Sequence, residues 1–143
     1  MHMQAIQAYI QQHGEQILGD VKALVRCESP TTDKAPADAC ARAIAQLVES
    51  RLGVPATVYA QPQRGDHVCF TMGEGEEQIL LLCHYDTVWD EGRLPLRQEG
   101  DRLYGPGVLD MKSGLAACIW AMKACQALNL PHKKLCLLCT SDE

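Results

Sequence analysis

Apolar residues recur at helical spacing through the first third of the chain and then change to alternation. Ile17, Val21, Leu24 and Val25 share one stripe, extended backward by Ile6 and Ile10, which predicts a first helix over residues 4–26. Glu28-Ser29-Pro30-Thr31-Thr32 ends it, because the residue before a proline is pushed out of helical geometry. A second helix is expected over residues 36–52, with Cys40, Ile44, Leu47, Val48 and Leu52 inward and Gly53 as its stop. Residues 56–61 then read as a strand, and Val68, Phe70 and Met72 alternate with His67, Cys69 and Thr71 as in a half-buried strand. The unbroken apolar run of residues 78–83 predicts a strand buried on both faces. Residues 96–99 and 102–104 flank Gly100-Asp101, a short hairpin signal. Residues 113–128 form a broadly apolar helix, and residues 134–139 another buried strand.

This order implies an α/β fold with a mixed, partly parallel sheet flanked by helices. The stretch between the strands at 78–83 and 134–139 is long enough for a parallel crossover. In such sheets ligands gather beyond the carboxyl ends of the strands. Both buried strands run there into polar residues: His84-Tyr85-Asp86-Thr87 after the first, Thr140-Ser141-Asp142-Glu143 after the second.

Composition narrows the function classes. The 143 residues suffice for one domain with a sizeable core. A net charge of −5 and singly scattered basic residues argue against a nucleic-acid surface, which needs clustered cations. No run approaches the roughly 20 apolar residues of a membrane span, and residues 1–16 show no secretory pattern. Five of the eight cysteines (Cys69, Cys83, Cys118, Cys136, Cys139) lie in apolar patterns and read as small buried hydrophobes. Cys136-Leu-Leu-Cys139 has the spacing of a metal knuckle, but positions three apart in a strand point to opposite faces. The reading is a reduced, cytoplasmic protein.

Each candidate residue has two readings when taken alone. His84 and Asp86 fit a metal-binding imidazole with a carboxylate on its other nitrogen, or a solvated histidine and a turn-forming aspartate. Asp110, between Gly105-Pro106-Gly107 and the third helix, fits a helix cap or a carboxylate bridging two metal ions. Glu143 fits a general base or a solvated residue. Lys112-Ser113 after a glycine-rich loop suggests a phosphate-binding loop, but Met111 and Pro106 stand where that pattern needs glycine.

Three segments together resemble one family. Leu80-Leu81-Leu82-Cys83-His84-Tyr85-Asp86-Thr87-Val88-Trp89, Tyr104-Gly105-Pro106-Gly107-Val108-Leu109-Asp110-Met111-Lys112-Ser113-Gly114 and Leu137-Leu138-Cys139-Thr140-Ser141-Asp142-Glu143 are similar in form and order to the co-catalytic zinc peptidases and amidohydrolases. These include glutamate carboxypeptidases, aminoacylases, acetylornithine deacetylases and succinyl-diaminopimelate desuccinylases. The glutamate-carboxypeptidase-like branch matches best, and Glu28-Ser29-Pro30-Thr31 also resembles that family's loop after its first helix.

The resemblance implies hydrolysis of an amide bond in a small peptide or N-acyl amino acid, with a weak lean towards a C-terminal glutamate. By it His84 binds zinc (with Co2+ or Mn2+ as alternatives), Asp86 orients His84, Asp110 bridges two zincs and Glu143 is the base. It also implies a cis Asp110–Met111 bond and a homodimeric full-length form. Residues 1–143 are then the N-terminal part of the catalytic domain, without the second lid and dimerisation domain and without the remaining zinc ligands. An inactive fragment is the first expectation, with the last strand at an exposed sheet edge. A non-catalytic metal-binding or oligomerising relative is the alternative. Departures from the family pattern are Cys83 and Ser113, where glycines are common.

Overall fold

A computed structural model describes residues 2–143. The chain begins with helices α1 (His2–Gln12), α2 (Gly14–Arg26) and α3 (Lys34–Leu52). Strands β1 (Thr57–Tyr59), β2 (His67–Met72), β3 (Gln78–His84), β4 (Arg97–Glu99) and β5 (Arg102–Tyr104) follow. An irregular turn at Val108–Lys112 leads into α4 (Ser113–Ala127), and the last element is β6 (Lys134–Thr140).

The continuous first helix expected over residues 4–26 is in fact two. His13 leaves helical geometry (φ −103°, ψ 12°) immediately before Gly14, a poor helix former. Its ring fits the break: Nδ1 lies 2.7 Å from the Tyr9 carbonyl, and the imidazole stands 4.1 Å from the Tyr9 ring and 5.5 Å from the Trp120 ring. Further on, α3 closes as the sequence predicts, with Gly53 at φ 69°, a conformation glycine adopts without steric cost.

Four strands form one mixed sheet in the order β1-β2-β6-β3, with β4 and β5 as a separate hairpin. β1 and β6 both pair antiparallel with β2, whereas β6 and β3 run parallel, joined by the crossover through α4. Helices α2, α3 and α4 cover one face, where Val68, Phe70, Leu135, Leu137 and Cys139 meet Leu24, Val25, Ile44, Leu115 and Ile119.

Two strand expectations need correction. The apolar run of β3 is not buried on both faces, since Leu80 and Leu82 are 54% and 60% exposed. Nor is the last strand at the edge. β6 lies between β2 and β3, and β3 holds the outer position. An apolar run reports the preference of its side chains, but it does not report which strand its neighbours will cover.

The helical layer is fastened by one charged side chain. Asp20 in α2 is buried and accepts two hydrogen bonds of 2.9 Å from the Arg51 guanidinium of α3. It also accepts one of 2.9 Å from Trp120 Nε1 of α4. The fork geometry suits arginine and carboxylate, and it satisfies a charge that would be costly to bury alone. Asp20→Ala leaves the guanidinium and the indole N–H without their acceptor. It should lower stability by about 3 kcal/mol, read as a shifted midpoint in urea unfolding. An unchanged midpoint would show that the three helices do not depend on this contact.

Candidate active site

The site lies beyond the carboxyl ends of the two parallel strands. Register pairs His84 with Thr140, so the segments leaving β3 and β6 emerge side by side. A cleft of about 400 Å³ opens there, lined among others by Thr31, His84, Asp86, Asp110 and Glu143. Residues distant in sequence thus converge because parallel strands place like ends together.

Asp86 is the most enclosed of these residues, 2% exposed. The hydroxyl of Thr31 donates to its Oδ2 at 2.5 Å, and the backbone N–H of Glu143 donates to its Oδ1 at 3.2 Å. The loop after α2 is drawn in by the same region. Thr31 N–H donates to the Thr87 carbonyl (3.0 Å), Thr87 N–H to the Ser29 carbonyl (2.8 Å), and Ser29 Oγ to the Tyr85 carbonyl (2.6 Å).

His84 is held at both ring nitrogens. Nδ1 lies 3.1 Å from the Asp86 carbonyl and 3.4 Å from its carboxylate, and Nε2 lies 2.8 Å from Asp110 Oδ1. With an acceptor at each nitrogen the ring is best matched as imidazolium, both N–H groups donating. Burial lowers its pKa, but the Asp110 hydrogen bond and the Asp86 contacts outweigh this and raise it above the ordinary 6.5.

Asp110 caps nothing: α4 has no side-chain cap. Its carboxylate instead meets His84 across the cleft mouth, with Asp110 at φ −124°, ψ 95° inside the irregular turn. The Asp110–Met111 peptide is cis. Gly107 (φ 76°) lets the preceding loop pass beneath, since a Cβ there would stand 2.8 Å from Thr87 Cγ2.

Thr31 and Lys112 contribute through contacts that the sequence does not signal. Thr31 stands in the quoted loop, but its bond to Asp86 is not deducible from spacing. Lys112 is fully buried and donates from Nζ to the carbonyls of Leu24 (3.0 Å) and Cys27 (2.6 Å), tying the Asp110 turn to the end of α2. Burial lowers the pKa of this lysine. A lysine beside a loop normally reads as solvated, and only its company of Met111 and Leu115 hints otherwise.

The sequence pattern of Peptidase family M20/M25/M40 matches residues 80–143. Over that stretch the chain resembles that family. It is 44% identical over 54 residues to carboxypeptidase G2 of Pseudomonas sp. (strain RS-16), a match covering 36% of this chain and 13% of that protein. It is 30% identical over 139 residues to succinyl-diaminopimelate desuccinylase of Rhodopseudomonas palustris (strain BisB5), covering 88% of this chain and 35% of that protein. In fold, human carnosine dipeptidase 1 superposes with TM-score 0.83 at 19% identity over 100% of this chain and 35% of that one. An M20 family metallo-carboxypeptidase from Sulfolobus solfataricus gives 0.79 at 22% identity, covering 89% and 31%. The chain therefore spans about a third or less of the length of these relatives.

The donor set can be tested against the metal that the family implies. An imidazole nitrogen and a carboxylate oxygen 2.8 Å from each other, with a second carboxylate 3.4 Å from the far ring nitrogen, are donor types that suit zinc and its usual ligand support. Among the described residues, however, no group of three or more candidate ligands forms. The residues fit part of a zinc site.

The raised His84 pKa gives a directional test. A group whose folded pKa is raised contributes stability that is complete below about 6.5 and fades as pH rises through the folded value. In the metal-free chain the His84 ring, followed by NMR, should titrate above 6.5, and Asp110→Asn should lower that pKa. A wild-type midpoint below 6.5 would show that burial, not Asp110, governs the ring.

Proposed function

We propose that this chain carries one side of a zinc-dependent amidohydrolase centre, acting in the whole protein on a small peptide or N-acyl amino acid. The observation that carries the reading is the convergence of His84 Nε2 and Asp110 Oδ1 at 2.8 Å in a cleft also lined by Glu143. His84 and Asp110 are the metal ligands in this reading, with Asp86 as the orienting carboxylate and Glu143 as the base. Zinc, when bound, supplies Lewis acidity for an amide carbonyl and makes water more acidic.

The chain's own residues divide the remaining work. The Asp86 carbonyl fixes the Nδ1–H tautomer, which leaves the Nε2 lone pair free for metal once the proton shared with Asp110 is gone. The Asp86 carboxylate, 3.4 Å from Nδ1, would support the positive charge on His84 when that ring holds a metal. Glu143, on an exposed segment at the cleft, takes the proton of attacking water and returns it to the leaving amine, a role worth about 10²–10⁴ in rate. Val88 (92% exposed), Leu109 (90%) and Trp89 (44%) give the rim an apolar side for the substrate's non-reacting part.

Residues 1–143 are, in this reading, the N-terminal part of the catalytic domain of a cytoplasmic, homodimeric protein. A catalytic zinc typically holds about three protein ligands, and two are brought together here. The chain alone should bind metal without turning over substrate. A second reading, an oligomerising module, is favoured by one observation, the open β3 edge bearing exposed Ile79, Leu80 and Leu82.

Calorimetric titration with zinc at neutral pH tests the first reading. Specific binding is expected for the wild type and should be lost in both His84→Ala and Asp110→Asn. Binding that survives both substitutions would place the metal elsewhere. Hydrolysis of acyl-amino acids by the zinc-loaded chain, abolished by Glu143→Gln, would overturn the expectation of inactivity.

A further inference from the structure

The sheet face turned away from the helices carries a pair of thiols that the hydrolytic chemistry does not use. Cys69 of β2 and Cys136 of β6 stand with their sulfurs 3.1 Å apart, both half-buried. Register places Cys69 opposite Leu138 and Cys136 opposite Thr71, so the thiols meet on the diagonal between adjacent strands. Leu80 of β3, opposite Cys136, is 54% exposed, so this side of the sheet is open to small reagents. Other sulfurs are less well placed. Cys40, Cys83 and Cys139 are buried, and the Cys83–Cys118 sulfurs are 3.6 Å apart with Cys83 only 2% exposed.

We propose that Cys69 and Cys136 form a reversible dithiol–disulfide couple that staples β2 to β6, oxidised by a small-molecule disulfide and reset by a small thiol. A disulfide bond is about 2.05 Å long, so the sulfurs, 3.1 Å apart, need approach by about 1 Å. The exchange balances without any further reagent. One cysteine thiolate attacks a sulfur of the small disulfide, breaking its S–S bond and expelling the first small thiolate. The other cysteine thiolate attacks the protein sulfur of that mixed disulfide, forming the Cys69–Cys136 bond and expelling the second. The two cysteines together lose two electrons and two protons, and the small disulfide leaves as two thiols. Burial and the contact with Cys136 push the Cys69 thiol up to about 11, which makes its thiolate scarce at neutral pH and slows the exchange.

The staple would join positions 67 residues apart, on the two strands that lead to His67 and Ser141 at the site end of the sheet. Oxidation thus reports on, and fixes, the strand pair that delivers the 140–143 segment.

The experiment is incubation of the zinc-free chain with oxidised glutathione, followed by thiol counting and peptide mapping without reduction. The expected result is loss of two of the eight thiols, a peptide pair joined through residues 69 and 136, and full recovery with dithiothreitol. Cys69→Ser and Cys136→Ser should each abolish the joined pair, while Cys125→Ser should keep it. Cys69→Ala and Cys136→Ala repeat the test should a serine fail to fold in the half-buried position. Eight free thiols after oxidation, a bond joining Cys83 to Cys118, or glutathione left on Cys69 or Cys136 without an internal bond would each overturn the proposal.

Discussion

A buried carboxylate must be paired, and Asp86 is the buried carboxylate around which this cleft is arranged. Its two oxygens draw in groups from opposite ends of the chain, the Thr31 hydroxyl and the Glu143 N–H. Its carbonyl and carboxylate together orient His84, which follows Cys83 at the end of β3. Removing the carboxylate would therefore take one tie each from the loop after α2, the segment after β6 and the imidazole. Such coupling explains why a side chain that touches the cleft only at its edge can govern the positions of those that face it.

The same economy appears one layer further back. Lys112 uses a buried ammonium to satisfy carbonyls at the end of α2, which would otherwise be left without donors. It sits two residues from Asp110, so helix termination and carboxylate placement are one structural event. A lysine is a suitable choice because three donors on a flexible stem can reach several carbonyls, and the cost of burying its charge is offset by those bonds. Asp20 plays the corresponding part among the helices, joining α2, α3 and α4 through Arg51 and Trp120.

Much of this was legible in the sequence. The strands at 67–72 and 78–83, the hairpin about Gly100-Asp101 and the parallel crossover follow from periodicity and turn chemistry, and the fold bears them out. What escaped depends on partners that periodicity cannot name. The break at His13 turns on a histidine side chain bonding its own preceding turn. The exposure of Leu80 and Leu82 turns on which strand takes the edge, and that is a property of the sheet rather than of the run. Thr31 and Lys112 are polar residues whose partners lie 55 to 88 positions away, beyond any local pattern.

The two readings open for Asp110 show how geometry adds to spacing. A helix cap and a cleft carboxylate both want an acidic residue just before α4, so sequence alone leaves them level. They differ in backbone: a cap turns its side chain back over the first helical N–H groups, whereas a cleft ligand must face away from them. The turn at 108–112 carries Asp110 in extended conformation, and its oxygen meets the imidazole of β3 instead of the helix. That choice leaves the start of α4 without a side-chain cap, a cost of about 1 kcal/mol by ordinary capping values. Local stability is given up for a carboxylate aimed at a histidine, a sacrifice better matched to a site than to a scaffold.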